Sequence, residues 1–495
     1  MIEAAAIVAA VLSGLRWLRV AQREHYLAGA VTRFAVRWWS AVTSNRILGV
    51  VAVAALVATA WWTPMAWVCV ATVAVGPFGL GIRGRSSPIA WTSRLRRVAV
   101  ATSILVIAAL ALARLAGSWA IALVALLVPV FLDVALWLLA PWEKRSGDRW
   151  VEKAASALDR SGARVVAITG SYGKTSTKVI LSHLLGATVP TFASPASFNN
   201  RMGLARAINE GLTPGIEVFV AEMGTYGPGE IAELCSWIPP EVAVMTAIGP
   251  VHLERMKSEE RIAQAKREIL ERARVGVVNV DHPLLSRVAD EEAQRIQIVR
   301  CSTIDRSADV FVDPSTGVVV IRGRNVGSCD VGAVHPSNVA AAVGAVTALG
   351  LEPDATRLAA LASPPNRQVV GRSEAGAVII DDTFNSNPDG ARAALGRLGD
   401  LVSGRRAVVT PGMVELGPVQ AEENRNFARA VAETGATLVV VGHTNRRALL
   451  EGASASAPGS VIVVQTREEA VAWVRANLGE GDGVLYENDL PDHYP

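Results

Sequence analysis

The residues Gly170-Ser171-Tyr172-Gly173-Lys174-Thr175-Ser176-Thr177 combine the parts of a phosphate-binding turn. Glycines let backbone N–H groups approach phosphate oxygens, a lysine reaches the outer phosphates, and the next hydroxyl can hold Mg²⁺. The usual first glycine, five positions before the second, is absent because residue 168 is Ile. A glycine-rich strand-to-helix turn without nucleotide is the plainer reading, and the Lys-Thr-Ser-Thr run argues against it. Three further polar groups follow apolar runs: Glu222 in Glu-Met-Gly224, His252 in Gly249-Pro-Val-His252, and Asp381-Asp382. A carboxylate and an imidazole near a phosphate loop suit metal binding, because phosphoryl transfer is catalysed mainly by positioning and by cations at the developing charge.

These residues need rigid supports. Residues 164–169 read as a buried strand and the residues after the loop as an amphipathic helix to about Leu185, a strand, loop and helix unit. Strands are also expected near 218–221, 242–246, 275–280, 378–380, 407–409, 438–441 and 461–464, with helical patterns between them. Such alternation predicts an α/β architecture with largely parallel sheets, whose ligands bind beyond the carboxyl ends of the strands.

The 495 residues are 51% hydrophobic and 19% charged, with mean hydropathy +0.32, which excludes disorder. The apolar excess is concentrated before residue 143, in runs 2–20, 47–63, 65–81, 98–116 and 119–141. Most are near the ~20 residues that cross a ~30 Å hydrocarbon layer; the second and third are short enough for a re-entrant hairpin. Arg16, Arg19, Arg23, Arg33, Arg37 and Arg46 follow the first run, and Arg83, Arg85, Arg94, Arg96 and Arg97 the third, whereas the turns Thr63-Pro64 and Gly117-Ser118 are uncharged. The positive-inside rule then makes the basic loops cytoplasmic, the N-terminus external and residues 146–495 cytoplasmic, in a cell membrane crossed about five times. The first run reads as an uncleaved anchor. Two charges lie inside runs: Arg114 can snorkel, while Asp133 suits a substrate or a helix-packing role. Net charge +3 gives no case for a nucleic-acid partner, and Cys69, Cys235, Cys301 and Cys329 show neither disulfide nor zinc spacing.

Between about 164 and 455 the chain resembles the Mur ligases, ATP-dependent amide-bond-forming enzymes of peptidoglycan synthesis, and most of all their D-alanyl-D-alanine-adding, MurF-type branch. The resemblance rests on Thr169-Gly-Ser-Tyr-Gly-Lys-Thr175, Ser197-Phe-Asn-Asn-Arg-Met-Gly203, Ala221-Glu-Met-Gly224 with Pro228-Gly-Glu-Ile231, Thr246-Ala-Ile-Gly-Pro-Val-His-Leu253, Ala265-Lys-Arg-Glu-Ile269, Gly371-Arg372 and Asp381-Asp-Thr-Phe-Asn-Ser-Asn-Pro388. Behind the transmembrane segment read from the apolar runs (1–145), it implies a central P-loop ATPase domain (146–370) and a Rossmann-like C-terminal α/β domain (371–495). It also implies that ATP phosphorylates a carboxylate and that the amine of an amino acid or dipeptide attacks the acyl phosphate. By position, Gly170 to Ser176 cradle ATP and Lys174 binds its outer phosphates. Thr175 and Glu222 serve Mg²⁺, His252 serves a second Mg²⁺, and Lys266 is the lysine that the family often carbamylates, although its helix could equally be a solvated face. Asn338 would face adenine, Arg372 the γ-phosphate and Asp382 the ribose. Asn199, Asn200, Asn385 and Asn387 fall on the substrate side, where Asn199 and Asn200 could also be caps or turn residues.

Two departures bear on substrate. The membrane segment replaces the family's small UDP-sugar-binding domain, which opens the way to a cell-envelope precursor that is lipid-linked rather than UDP-linked. The end, Val484-Leu-Tyr-Glu-Asn-Asp-Leu-Pro-Asp-His-Tyr-Pro495, is acidic where the family has a basic segment; it suits an amine or an exposed tail. The leading expectation is a membrane-anchored ATP-dependent carboxylate–amine ligase with ATP, the precursor and the bilayer as partners. A polyglutamate-synthase-like ligase, an ATP-driven transporter and a non-catalytic envelope scaffold are the alternatives.

Overall fold

The computed structural model describes residues 1–82, 89–186, 188–251, 253–332, 334–361, 369–383, 386–454, 460–490 and 494. The N-terminal region is helical: α1 (Ile2–Arg23), α2 (Ala30–Ala41), α3 (Thr43–Ala58), α4 (Met65–Val75), α5 (Ser93–Ala116), α6 (Ser118–Leu126) and α7 (Val128–Ser161). They share one apolar core that includes Trp17, Leu95 and Leu132.

By length and composition α1 and α5 could cross a bilayer, as could the bent pairs α2 with α3 (111°) and α6 with α7 (62°) if each counts as one span. The five expected runs are therefore not five such helices. Run 65–81 shrinks to the 11 residues of α4, about 16 Å at 1.5 Å per residue, and Arg16 donates to the carbonyls of Ala74 (3.0 Å) and Gly76 (3.1 Å) at its end. Run 119–141 is broken at Leu127, where the ring of Pro129 cannot continue the preceding helix. Asp133 resolves to a packing role: its carboxylate accepts from the N–H of Val31 (3.3 Å) and Thr32 (2.8 Å) in the first turn of α2, satisfying donors that a helix start leaves open. Arg114 pairs with Glu3 at 2.9 Å and joins the start of α1 to the end of α5.

The division expected at residue 145 falls inside α7. Its last turns bury Val151, Ala154 and Leu158 against the first sheet, so one continuous helix links the helical region to the sheet.

The first sheet contains β1 (Arg164–Thr169), β2 (Thr191–Ala193), β3 (Val218–Glu222), β4 (Val242–Met245), β5 (Val275–Asn279), β6 (Gln297–Ser302), β7 (Val310–Val312), β8 (Val318–Ile321) and β9 (Arg324–Ser328). Their order is β2-β3-β1-β4-β5-β6-β7-β8-β9, parallel except for the antiparallel pairs β7–β8 and β8–β9. β1 is buried from Val165 to Thr169 and lies between β3 and β4, so the loop into α8 (Lys174–Leu185) opens at the point where the strand order reverses. Separate apolar cores cover the two faces of the sheet.

The second sheet contains β10 (Val369–Arg372), β11 (Val378–Asp382), β12 (Arg406–Thr410), β13 (Thr437–Val441), β14 (Val461–Val464) and β15 (Gly483–Glu487), in the order β10-β11-β15-β12-β13-β14. Only β10 runs antiparallel to its neighbour. Residues 484–487, open in the sequence to reading as an exposed tail, form the strand between β11 and β12 because Val484 and Leu485 fill the two faces of this sheet.

Candidate active site

The phosphate loop leaves β1 and enters α8 through Gly173, whose φ of +79° favours glycine. A Cβ there would collide with the Asn338 carboxamide, and one on Gly170 with the Thr246 hydroxyl. The loop is thus a bare-backbone cradle backed by side chains. Ser171 fixes it from the other side, its hydroxyl bonding the carbonyl (3.2 Å) and accepting from the N–H (3.1 Å) of Gly249. Tyr172 packs on Gly249, and its hydroxyl is buried without a partner among the described residues. Lys174 lies folded over the loop, donating to the carbonyls of Gly170 (2.7 Å) and Ser171 (3.2 Å), with its ammonium where an anion's outer oxygens would be met.

The end of β3 brings Glu222 beside this loop. The Thr175 hydroxyl donates to Glu222 Oε2 at 3.0 Å, Lys178 Nζ lies 3.0 Å from the same oxygen, and Asn199 Nδ2 donates to Oε1 at 3.1 Å. Burial raises the Glu222 carboxyl, but the Lys178 and Lys174 charges and the bonds from Lys178 and Asn199 outweigh it and hold it below its ordinary range. Adjacent ligands in a Mg²⁺ octahedron with bonds of 2.0–2.1 Å are about 2.9 Å apart, so the Thr175 and Glu222 oxygens fit one ion. Among the described residues no cluster of three or more His, Cys, Asp or Glu side chains is placed to hold a metal.

Lys266 is 2% exposed and lines the same cavity, so its helix face is not solvated. Burial first, and the Lys174 charge second, push its pKa well below that of an ordinary lysine. A neutral amine is the form that adds CO₂.

The cavity has a volume of about 460 Å³ and is also lined by Thr383, Ser386 and Asn387, which follow β11 of the second sheet. Asn387 caps the helix Pro388–Leu401 by accepting from Gly390 N–H at 2.9 Å. Asn199 and Asn200 line the cavity as well, and Asn200 also caps the helix α9 (Arg201–Gly211) through Gly203 N–H at 2.9 Å. The structure does not bring Arg372 and Asp382 to the cavity wall. Arg372 is exposed on edge strand β10 and donates to Gly376 O at 3.1 Å, while Asp382 ends β11 and its carbonyl accepts from Asn488 N–H at 3.1 Å. Asn338 touches the phosphate loop and accepts from Thr177 Oγ1 at 3.4 Å, because its helix, Pro336–Ala348, packs on α8. Ser176 is buried in the first turn of α8. His252 and Asn385 lie outside the described residues.

Residues 168–346 match the Mur ligase middle domain and residues 367–486 the Mur ligase glutamate ligase domain. The chain belongs to the Mur ligase family. Its enzyme class is therefore ATP-dependent acid–amino-acid ligase. The UDP-N-acetylmuramoyl-tripeptide–D-alanyl-D-alanine ligase of Mycobacterium tuberculosis is 31% identical over 369 residues, covering 67% of this chain and 71% of that protein. The MurF ligase of Thermotoga maritima in complex with ADP superposes with a TM-score of 0.60 at 25% identity, over 70% of this chain and 80% of that one. A bifunctional folylpolyglutamate synthase/dihydrofolate synthase bound to Mn, AMPPNP and L-glutamate shares the fold, at 20% identity and a TM-score of 0.54 over 70% and 91% of the two chains.

Both matched segments of this Mur ligase begin after α7, yet the helical region reaches the site. Arg23 at the end of α1, with Glu24 and His25 just after it, lines the cavity together with Tyr226, Arg255, Glu415 and Asn488. His25 packs on Tyr226 with ring centroids 5.6 Å apart, and Arg255 pairs with Glu24 at 3.3 Å. Sequence reasoning missed all of these, since no local pattern marks them. For Lys178 a signal did exist: it lies one helical turn after Lys174, on the same face.

Proposed function

We propose that this Mur ligase is a membrane-anchored, MurF-like enzyme that joins an amine to the carboxylate of a cell-envelope precursor. The observation that carries the reading is that Lys174, Thr175, Glu222 and Lys266 all open on one cavity that is also lined by residues following strands β11, β12 and β15 of the second sheet. The acceptor's carboxylate oxygen attacks the γ-phosphorus of ATP, the bond to the β-phosphate oxygen breaks, and ADP leaves. The amine of an amino acid or of a dipeptide such as D-alanyl-D-alanine then attacks the acyl carbon, expels inorganic phosphate, gives up a proton and leaves an amide. Lys174 holds the outer phosphates, and the phosphate-loop backbone and the α8 N-terminus bind their anionic charge. Thr175 and Glu222 would hold Mg²⁺, which would neutralise the charge that builds on the phosphoryl oxygens. Lys266, carbamylated, adds an anionic oxygen pair beside them.

Membrane anchoring is supported by the helical region's outer surface, where Ile7, Val11, Val50, Val57, Ile104, Ile107 and Leu112 are all exposed. Trp61, Trp62, Trp119, Trp137 and Trp142 are exposed as well, a residue type enriched in the aromatic belts of membrane proteins. α1 runs from the Glu3–Arg114 pair to the cavity at Arg23, which favours an external N-terminus and cytoplasmic sheets. The acceptor is then a precursor within reach of the bilayer, lipid-linked or UDP-linked.

The test uses full-length protein in detergent with MgATP, soluble and lipid-linked muramoyl peptides, and either D-alanyl-D-alanine or glutamate as amine, reading ADP release and product mass. Product formation that Lys174→Ala abolishes supports the reading. Equal turnover by the variant removes it, and a product formed only with glutamate selects the polyglutamate-synthase-like reaction.

A further inference from the structure

Beside the ligase cavity lies a second one, of about 330 Å³, lined by Arg33, Arg37, Arg255 and Lys257 against the carboxylates of Glu24 and Glu415. Glu24, Arg255, Glu415 and Tyr494 line both cavities, so the two adjoin. The cations come from two separate parts of the chain. Arg33 and Arg37 lie on α2 of the helical region, while Arg255 and Lys257 belong to the segment after β4.

Two of the guanidinium groups are held in place. Arg37 lies over the rings of Phe34 at 5.0 Å and Tyr494 at 5.7 Å. Arg255 lies over the Tyr226 ring at 4.8 Å and pairs with Glu24 at 3.3 Å. Its Nη1 is nevertheless buried without a hydrogen-bond partner among the described residues. The guanidinium as a whole is paired and its side chain is 22% exposed, but a buried N–H without an acceptor is costly, which points to an acceptor at Nη1 that the described residues do not supply. The backbone gives an independent sign. Lys257 and Glu415, with φ of 74° and 64°, line the basic cavity, and His25 and Asn488, with φ of 55° and 60°, line the adjoining ligase cavity. Left-handed non-glycine residues persist where the surrounding structure over-determines them, characteristically at ligand clamps.

The four cations outnumber the two carboxylates of Glu24 and Glu415, and a diphosphate carries several charges and oxygens that match planar guanidinium forks. We propose that this basic cavity, shared between α2 and the segment after β4, seats the diphosphate of the acceptor while the acceptor's carboxylate extends into the ligase cavity. The inference rests on the ligase reading for the acceptor's carboxylate, but the diphosphate seat is tested without turnover. The same group occurs in a prenyl diphosphate carrier and in a nucleoside diphosphate sugar, and the helical region's share of the site is compatible with either.

Full-length protein in nonionic detergent, with Mg²⁺ in excess and the phosphate loop saturated with ADP, is titrated with inorganic pyrophosphate by calorimetry. Saturable binding is expected, weakened at least tenfold in Arg33→Gln/Arg37→Gln and in Arg255→Gln, with ADP affinity retained as proof of folding. Farnesyl diphosphate in micelles and UDP-N-acetylglucosamine then compete for the pyrophosphate site; the stronger competitor assigns the lipid or the nucleotide source. Absence of saturable binding, unchanged affinity in the ADP-competent variants, or competition by neither compound would overturn the proposal. Failure of the ligase reading would appear separately, as undiminished ATP turnover by Lys174→Ala.

Discussion

Lys178 Nζ lies 3.0 Å from Glu222 Oε2, and the two side chains are only 5% and 2% exposed. The ammonium supplies positive charge to the oxygen that a Mg²⁺ ion would share with Thr175. Removing it would strand a buried carboxylate, at a cost of about 3–5 kcal/mol. Lys178→Met is expected to lower Tm markedly without Mg²⁺ and to recover part of the loss with MgADP. Thermal unfolding under the two conditions checks this; an unchanged Tm would show that Lys178 contributes nothing to holding Glu222.

Thr175→Ala removes one of the two oxygens that fit a shared Mg²⁺ and leaves Glu222 with Lys178 and Asn199. Turnover should fall about 10²–10³-fold, the usual range for losing one positioned group at the developing charge. The Mg²⁺ concentration for half-maximal rate should rise as well. A lower rate with an unaltered Mg²⁺ requirement would place the hydroxyl outside the metal's reach.

For Lys266 the expected modification is a carbamate formed by the neutral amine and CO₂. Its lowered pKa leaves the amine neutral over more of the pH range than an ordinary lysine, and acidification through that pKa protonates it. Activity should therefore fall on acidification and on removal of bicarbonate. Lys266→Ala should be inactive, with partial recovery in acetate, which can fill the vacated anionic position. Full activity of Lys266→Ala without acetate would end the carbamate assignment.

Glu487 is fully buried at the end of β15, where it accepts from the hydroxyls of Ser386 and Thr410. Burial, opposed by the Thr410 bond and assisted by Asp382, pushes its carboxyl up to about 8. Because the folded value exceeds the unfolded one, the native state binds the extra proton between about pH 4.5 and 8. Stability from this group is present below that window and is lost as pH rises through it. Urea unfolding between pH 5 and 8.5 should show the decline in the wild type, and Glu487→Gln should flatten it. An identical slope in the two proteins would mean that Glu487 is ionised throughout.

Reporter fusions test the orientation. A fusion at Gly147, within α7 and beyond its apolar half, should report as cytoplasmic, as should one at Ser87 in the basic segment before α5. An external signal at Gly147 would reverse the orientation of the whole ligase.

The chemistry of the phosphate loop was legible in the sequence because it is local: Gly173, Lys174 and Thr175 are adjacent, and one strand and one helix suffice to aim them. The ends of β1 and α8 and most other parallel strands were legible for the same reason, since continuous apolar runs of strand length mark buried parallel sheet. Glu222 was found from its place after an apolar run and Lys266 through motif resemblance, but burial and the charges of Lys178 and Lys174, which set their chemistry, exist only once β3, α8 and the helix Glu259–Arg267 converge. The length of α4 and the break at Leu127 depend on packing and on proline geometry rather than on hydropathy. Residues 484–487 were ambiguous because a central strand is recognised by its two neighbours, here β11 and β12, which lie far away in sequence. The wall formed by Arg23, Glu24, His25 and Arg255 was decided by tertiary structure alone. Arg255 meets Glu24 across 231 residues of chain, and no periodicity within either segment encodes that contact.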